Sequence, residues 1–184
     1  MDYNEEQKNI VEKVKNNCES TEGWGKHDGD VCCGIIKLHI KNYLPSTKKV
    51  VGPHIFIKNI PNELDLLVIN KEAKPDDFVT CFNIDDVNMV IEIKKSGPIP
   101  EKNKPHPLVK TRLLFDKIKD KKSDVIFCYL TISEQIRKKE TSIDWFGDSE
   151  KTLNPYKCFM LCDRKGNLIK DSWETFLKEL KLRR

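Results

Sequence analysis

The sequence predicts an α/β fold in which a mixed central β-sheet is flanked by helices. Expected helices and strands alternate along the chain in the order α-α-β-β-β-α-β-β-α, and such alternation packs helices against the faces of a sheet. Charged residues make up 34% of the chain, yet apolar residues cluster in runs such as 64–69 and 125–130. A disordered chain would lack such runs. The length of 184 residues fits a single domain over residues 1–184.

Two helices are expected before the first strand. Apolar side chains recur at spacings of three and four over residues 3–18, which is the pattern of one helix face. Residues 20–29 contain three glycines and are expected to form a loop. A second apolar stripe predicts a helix over residues 30–44, and Pro45 ends it.

Three strands are expected next. Residues 50–57 are rich in β-branched side chains, with Gly52-Pro53 expected to form a bulge or an edge feature. Residues 64–69 are short and strongly apolar. Residues 87–94 alternate between apolar and polar side chains, as in a strand with two different faces. The polar segment 70–86 is expected to be irregular.

The remaining elements follow a proline-rich segment. Residues 97–107 hold four prolines and one glycine, so they are expected to be extended or turn-like. After them we expect a helix, two strands and a last helix, over residues 108–119, 124–131, 156–162 and 172–182.

Composition excludes several classes of protein. No apolar run reaches the roughly 18 residues that a transmembrane helix needs, and the acidic N-terminus lacks the apolar core of a secretory signal. The seven cysteines are an odd number and are interpreted as reduced thiols rather than a disulfide framework. Cys158 and Cys162 lack the Cys-x2-Cys spacing of a zinc site, so buried thiols are favoured. We therefore expect a cytoplasmic, or at least intracellular, protein without a membrane partner.

Positive charge is concentrated in one segment. The formal net charge is +4, but residues 94–122 hold ten Lys and Arg against three Asp and Glu. A local basic field on a nearly neutral protein indicates a polyanionic partner, and nucleic acid is the commonest one. The alternative is a solvated lysine-rich loop and helix face.

Three charged residues interrupt otherwise apolar strands. Asp65 lies in the expected strand 64–69, and Glu92 and Lys94 lie on one face of the expected strand 87–94. A charge in such a strand is costly unless it is paired or binds a metal. Neighbouring carboxylates repel each other unless a cation lies between them, and Mg²⁺ or Mn²⁺ suits such hard oxygen ligands. Lys94 could orient or help deprotonate a water, or offset charge on a phosphoryl group.

This arrangement resembles the PD-(D/E)XK nuclease superfamily, which has a restriction-endonuclease-like core with an Asp at one strand and Glu-x-Lys on the next. Residues 30–131 follow the order of that core: helix, strand, Asp strand, Glu-x-Lys strand, helix, strand. Stand-alone prokaryotic and phage members are the most similar in organisation. The resemblance implies that Asp65, Glu92 and the backbone carbonyl of Ile93 hold a divalent metal, with Lys94 near the attacking water.

The chain departs from the family pattern in two places. Leu64 stands where many members have a proline before the Asp. Many members also place an acid on the helix before the first strand, where this chain has Cys32, Cys33 and Gly34. The resemblance then leaves His27, or Asp28 or Asp30 at the start of that helix, as the third ligand. The structural alternative for Glu92 and Lys94 is a solvent-facing charge pair, and for Asp65 it is a turn or a cap.

The resemblance also indicates how substrate would bind. The helix after the Glu-x-Lys strand borders the cleft in this superfamily, so Lys110 and Arg112 at its start are expected to contact phosphate. Lys102 and Lys104 are expected to do the same, because they belong to the basic segment that follows the Glu-x-Lys strand. The expected function is a divalent-metal-dependent endonuclease acting on DNA, and a homodimer could cut both strands. Two alternatives stay open: an RNA endonuclease with a histidine ligand, and a non-catalytic nucleic-acid-binding module.

Overall fold

The computed structural model describes residues 2–18, 25–76, 80–96, 107–133, 156–163 and 165–181. Within these ranges the helices are α1 (Tyr3–Cys18), α2 (Gly25–Ile40), α3 (Pro107–Lys121) and α4 (Ser172–Lys181). In the same ranges, no helix combines the length and the apolar character needed to cross a lipid bilayer. All seven cysteines lie in described ranges; none forms a disulfide, and six are buried.

The strands form two sheets. Their bounds are β1 (Lys48–Val51), β2 (Ile55–Ile57), β3 (Ile60–Leu64), β4 (Leu66–Asn70), β5 (Cys81–Phe82), β6 (Val87–Ser96), β7 (Ile126–Ser133) and β8 (Tyr156–Cys162). The main sheet has the order β1-β4-β6-β7-β8, and the small sheet has the order β3-β2-β5. The pairs β1–β4 and β4–β6 are antiparallel, whereas β6–β7 and β7–β8 are parallel. The predicted mixed central sheet is confirmed.

Each face of the main sheet is covered by a separate apolar cluster. One cluster joins the sheet to α1, α2 and α4, through residues that include Ile10, Ile36, Ile91, Ile93 and Trp173. The other joins the opposite face to α3 and the small sheet, through residues that include Ile57, Leu64, Val90, Phe115 and Tyr129. The alternation along β6 predicted these two faces, because Ile91 and Ile93 enter one cluster while Val90 enters the other.

The predicted single strand over residues 50–57 is wrong. Val51 of β1 pairs with Leu67 of β4 in the main sheet, whereas Ile55 of β2 pairs with Leu64 of β3 in the small sheet. The β1–β2 segment and the β3–β4 segment therefore pass between the main sheet and the small sheet side by side. Asp65, expected inside a strand, lies at this corner between β3 and β4.

Other boundaries also differ from expectation. Helix α2 begins at Gly25, inside the expected loop 20–29, and ends at Ile40. Strand β5 lies in the segment that was expected to be irregular. A two-residue strand shows no measurable periodicity, and its pairing with β2 comes from a distant part of the chain.

Polar side chains of α1 fasten the N-terminus to the sheet and α4. The Gln7 amide is buried, and its Nε2 donates to the carbonyl oxygens of Leu161 and Ile169 at 2.8 Å each. Its Oε1 accepts a hydrogen bond from the Trp173 backbone N–H at 3.0 Å. All polar atoms of this buried amide are therefore used, as burial requires.

The Glu6 carboxylate collects three donors from other elements. It accepts from the Tyr43 hydroxyl, contacts His39 Nδ1 at 2.7 Å, and accepts from Trp173 Nε1 at 3.0 Å. Burial alone would raise the pKa of Glu6, but the hydrogen bonds from Tyr43, His39 and Trp173 outweigh it and lower the pKa. The charged form of Glu6 therefore stabilises the packing of α1 against α2 and α4.

We expect Glu6→Gln to lower the free energy of unfolding at pH 7 by about 1.5–3 kcal/mol, which is the range for hydrogen bonds to charged groups. Because the folded-state pKa is lowered, this contribution is present above the ordinary value of 4.5 and disappears as pH falls through the folded-state pKa. Urea unfolding at several pH values measures it, with the exposed Glu5→Gln as control. A deficit that persists unchanged below pH 3 would contradict this account.

Candidate active site

Asp65 is held at the sheet corner by a backbone hydrogen bond. Its Oδ2 accepts from the Ile93 N–H of β6 at 2.7 Å. Because β4 starts at Leu66, which pairs with Ile91, β6 continues beyond the end of β4 on this side. The Asp65 carboxylate therefore satisfies a backbone donor at the position where the strand ladder stops.

Lys94 brings the two predicted acids together. Its Nζ lies 2.5 Å from Glu92 Oε1 and 3.3 Å from Asp65 Oδ2. The side chain of Glu92 is 14% exposed, that of Asp65 27% and that of Lys94 40%. Two neighbouring carboxylates were expected to need a cation between them. The Lys94 ammonium contacts both and fills that role. These contacts exclude a fully solvated Glu92–Lys94 surface pair.

Burial and charge shift the pKa values of this group. Burial raises the pKa of Glu92 and Asp65 adds to the rise, while Lys94 opposes it. Burial would lower the pKa of Lys94, but the charges of Glu92 and Asp65 outweigh it and the pKa is raised. Lys94 is therefore an ammonium at neutral pH, and the site disfavours the charged form of Glu92.

The donor set fits a hard divalent cation. The N–H and C=O of one residue in an extended strand point to the same edge, so the Ile93 carbonyl faces the Asp65 side, as its N–H does. Two carboxylates and this carbonyl offer oxygen ligands of the kind that Mg²⁺ and Mn²⁺ prefer. Among the described residues, no group of three or more His, Cys, Asp or Glu converges on a potential metal position. A metal here would therefore complete its shell with water or substrate oxygens.

The acids at the start of α2 contact other residues. Asp30 Oδ1 lies 3.1 Å from His54 Nε2, and His54 Nδ1 contacts Glu63. Hydrogen bonding to Glu63 and then to Asp30 raises the pKa of His54. Asp28 Oδ2 accepts from Lys95 Nζ at 2.9 Å. None of the predicted third ligands, His27, Asp28 and Asp30, is therefore brought into a described metal-binding cluster with Asp65 and Glu92.

Helix α3 extends over the face of the sheet that carries Glu92. Phe115 packs on Phe127 of β7, with ring centroids 4.8 Å apart. Lys110 precedes Phe115 by five residues, which is about 7.5 Å along the helix. On β7, Tyr129 follows Phe127 by about 6.6 Å along the strand. Tyr129 is the register partner of Glu92. A link of only four residues returns α3 to β7, so the two elements run in opposite directions. The exposed Lys110 is therefore expected near the level of Glu92 along the strand direction.

The other predicted phosphate contacts differ in their surroundings. The Arg112 guanidinium lies 4.0 Å from the centroid of the Tyr156 ring, and its Nε lies 3.4 Å from Asp116 Oδ1. Arg112 is thus already held by a ring and a carboxylate, although it is partly exposed. Lys102 and Lys104 lie outside the described residues. At the far end of α3, Lys122 Nζ donates to two backbone carbonyls at 2.8 Å.

Sequence reasoning missed two residues near Asp65: Gly52 packs against the Asp65 backbone, and Lys37 binds the Gly52 carbonyl. A Cβ atom on Gly52 would lie 2.2 Å from the Asp65 carbonyl oxygen, and Lys37 Nζ donates to the Gly52 carbonyl at 2.5 Å. The Gly-Pro dipeptide indicated a bulge or edge feature, but no sequence signal connected it to Asp65.

The fold and this geometry define an α/β protein with a restriction-endonuclease-like core, and comparison with solved structures agrees. Pseudomonas aeruginosa ATCC27853 NucC in its cAAA-bound form superposes with a TM-score of 0.60 and 14% sequence identity, over 98% of this chain and 88% of that chain. Escherichia coli MS115-1 NucC, also in its cAAA-bound form, gives a TM-score of 0.58 and 12% identity over the same shares. No family model and no curated protein matches the chain. At these identities the likeness establishes the fold.

We expect the two acids to affect stability in opposite ways. Asp65→Ala removes the acceptor of the Ile93 N–H and should cost about 1–3 kcal/mol, whereas Asp65→Asn keeps an acceptor and should cost less. Glu92→Gln should be neutral or stabilising at pH 8, because burial raises the pKa of Glu92 and the folded state becomes less favourable as pH rises above the ordinary value of 4.5.

Urea unfolding in EDTA at pH 5 and pH 8 measures these differences. The gain of Glu92→Gln over the wild type should be larger at pH 8. Equal losses in Asp65→Ala and Glu92→Gln at both pH values would overturn this account, since they would mean that both charges stabilise the fold.

Proposed function

We propose that the protein is a divalent-metal-dependent nuclease that hydrolyses phosphodiester bonds in DNA. One observation carries the proposal: Asp65, Glu92 and Lys94 form one contact group at a corner of a restriction-endonuclease-like sheet. An Asp followed by Glu-x-Lys on the next strand of this fold is the arrangement of the PD-(D/E)XK nucleases. Because one fold hosts many functions, the proposal depends on this site rather than on the fold.

In the proposed site Asp65, Glu92 and the Ile93 carbonyl would hold Mg²⁺ or Mn²⁺. When bound, the metal would polarise the phosphoryl group and activate water. Lys94 has a raised pKa, which favours an ammonium that offsets negative charge developing on the phosphoryl oxygens over a lysine acting as a base. Its contacts with both carboxylates hold the ammonium beside the proposed metal position.

The proposed substrate would lie along the α3 side of the sheet. Lys110 is expected near the level of Glu92, and residues 94–122 carry the excess of positive charge. Contacts of this type position the phosphate backbone without reading bases. DNA is placed before RNA by analogy with the superfamily. The RNA alternative depends on His27 as a metal ligand.

We expect plasmid DNA to be cut in Mg²⁺ or Mn²⁺ and not in EDTA. Asp65→Ala and Glu92→Ala should abolish cleavage, and Lys94→Ala should slow it by at least about 10²-fold, the usual loss when a charge-stabilising group is removed. Lys95→Ala is the matched control, because Lys95 is adjacent in sequence and pairs with Asp28 instead.

The digest is run with and without cAAA, since the two NucC structures contain it. Cleavage in EDTA, or full activity in either acid variant, would refute the metal site. Unchanged turnover in Lys94→Ala would refute the role of Lys94. DNA binding without any metal affinity in calorimetry would favour the non-catalytic alternative.

Salt dependence tests the proposed DNA surface. For duplex binding in EDTA, Lys110→Ala should reduce the slope of log affinity against log salt by about 0.9, the value for one lost phosphate contact. Lys121→Ala, at the opposite end of α3, should leave the slope unchanged. If only Lys121→Ala reduces the slope, DNA binds at the other end of the helix and the placement of the substrate is wrong.

A further inference from the structure

The segment formed by residues 52–54 links the two sheets and touches Asp65. Gly52 has φ +123°, a backbone conformation that residues with a Cβ rarely adopt. A Cβ atom at this position would lie 2.2 Å from the Asp65 carbonyl oxygen and 2.9 Å from Leu66 Cδ2. The absence of a side chain thus allows the two backbones to pack in direct contact, and the position of residue 52 limits where Asp65 can lie.

Helix α2 holds this segment at both ends. Lys37 Nζ donates to the Gly52 carbonyl at 2.5 Å, and Asp30 Oδ1 lies 3.1 Å from His54 Nε2. Lys37 and Asp30 are seven residues apart, so they lie on one face of the helix, two turns from each other. The two contacts attach residues 52–54 to a helix that is itself packed into the core.

A third contact joins the same segment to the strand that precedes Asp65. His54 Nδ1 contacts Glu63 of β3, two residues before Asp65. His54 therefore bridges α2 and β3 through its two ring nitrogens. Asp65 lies outside the regular ladder between β3 and β4, so its position depends on neighbouring contacts rather than on strand pairing.

We propose that residues 52–54 form a brace that positions Asp65, and that Lys37 is a positioning residue of the metal site. This inference rests on the proposed function. Lys37 reaches Asp65 through the Gly52 backbone and touches neither metal nor substrate. Groups that orient a metal ligand usually change metal affinity by 10–100-fold when they are removed, so loss of the Lys37 contact should weaken metal binding.

The chain offers a matched control for Lys37. Lys49 Nζ donates to the Ala73 carbonyl at 2.7 Å, in a similarly half-buried setting. Both contacts are lysine-to-backbone hydrogen bonds, and both tie down a segment next to β1 or β4. The Lys49 contact lies beyond the opposite end of β4 from Asp65. A general effect of losing such a bond should therefore appear equally in both variants.

Calorimetric titration of Mn²⁺ into the 184-residue chain tests the brace. Lys37→Met should weaken Mn²⁺ affinity by tenfold or more, Lys49→Met should stay within twofold of the wild type, and Lys37→Arg should recover part of the loss. DNA cleavage by Lys37→Met should return toward the wild-type rate at saturating Mn²⁺, since the chemical groups are unchanged.

The outcomes separate the two proposals. If the wild type binds no Mn²⁺, the proposed function fails and the brace fails with it. If the wild type binds Mn²⁺ and the Lys37→Met and Lys49→Met variants bind it equally well, the brace is refuted and the proposed function stands. If Lys37→Met does not fold, Glu63→Gln, which weakens the His54 bridge, should lower Mn²⁺ affinity severalfold; unchanged affinity refutes the brace.

Discussion

The contact of one ammonium with two carboxylates at a sheet corner constrains much of this structure. Lys94 can meet Asp65 and Glu92 together only because β6 continues beyond the start of β4. The Asp65 carboxylate then takes the place of a strand partner for the Ile93 N–H. The chain leaves the main sheet for the small sheet at this level twice, between β1 and β2 and between β3 and β4. The corner that carries the charged group therefore exists because the small sheet branches off there.

Burial makes this group chemically asymmetric. Glu92 is the least exposed of the three side chains, and its pKa is raised, whereas the charges around Lys94 keep that residue protonated. The site therefore holds its two carboxylate charges at a cost that a divalent cation could relieve. Among the described residues, apolar clusters cover both faces of the sheet that carries this group, and Glu6 and Gln7 fasten the N-terminal helix.

Sequence reasoning succeeded where the signal was local and failed where it depended on distant partners. The alternation around Glu92 and Lys94 correctly separated the two faces of β6, because side-chain direction in a strand has a period of two. The division of residues 50–57 between two sheets was missed, since β-branched residues favour extended structure without specifying the partner strand. The early start of helix α2 was missed because Gly25 and Gly29 disfavour a helix. In the folded protein, contacts such as that of Asp28 with Lys95 hold its first residues.

The sequence by itself determined the fold class, the identity of the three charged residues and the basic segment that follows them. These depend on residue type and short-range periodicity, which are properties of the chain. Only the tertiary structure decided that Asp65 lies at a corner rather than in a strand, that Asp30 pairs with His54, and that Gly52 and Lys37 surround the site. These are contacts between residues far apart in sequence, and a contact exists only once packing has brought its two partners together.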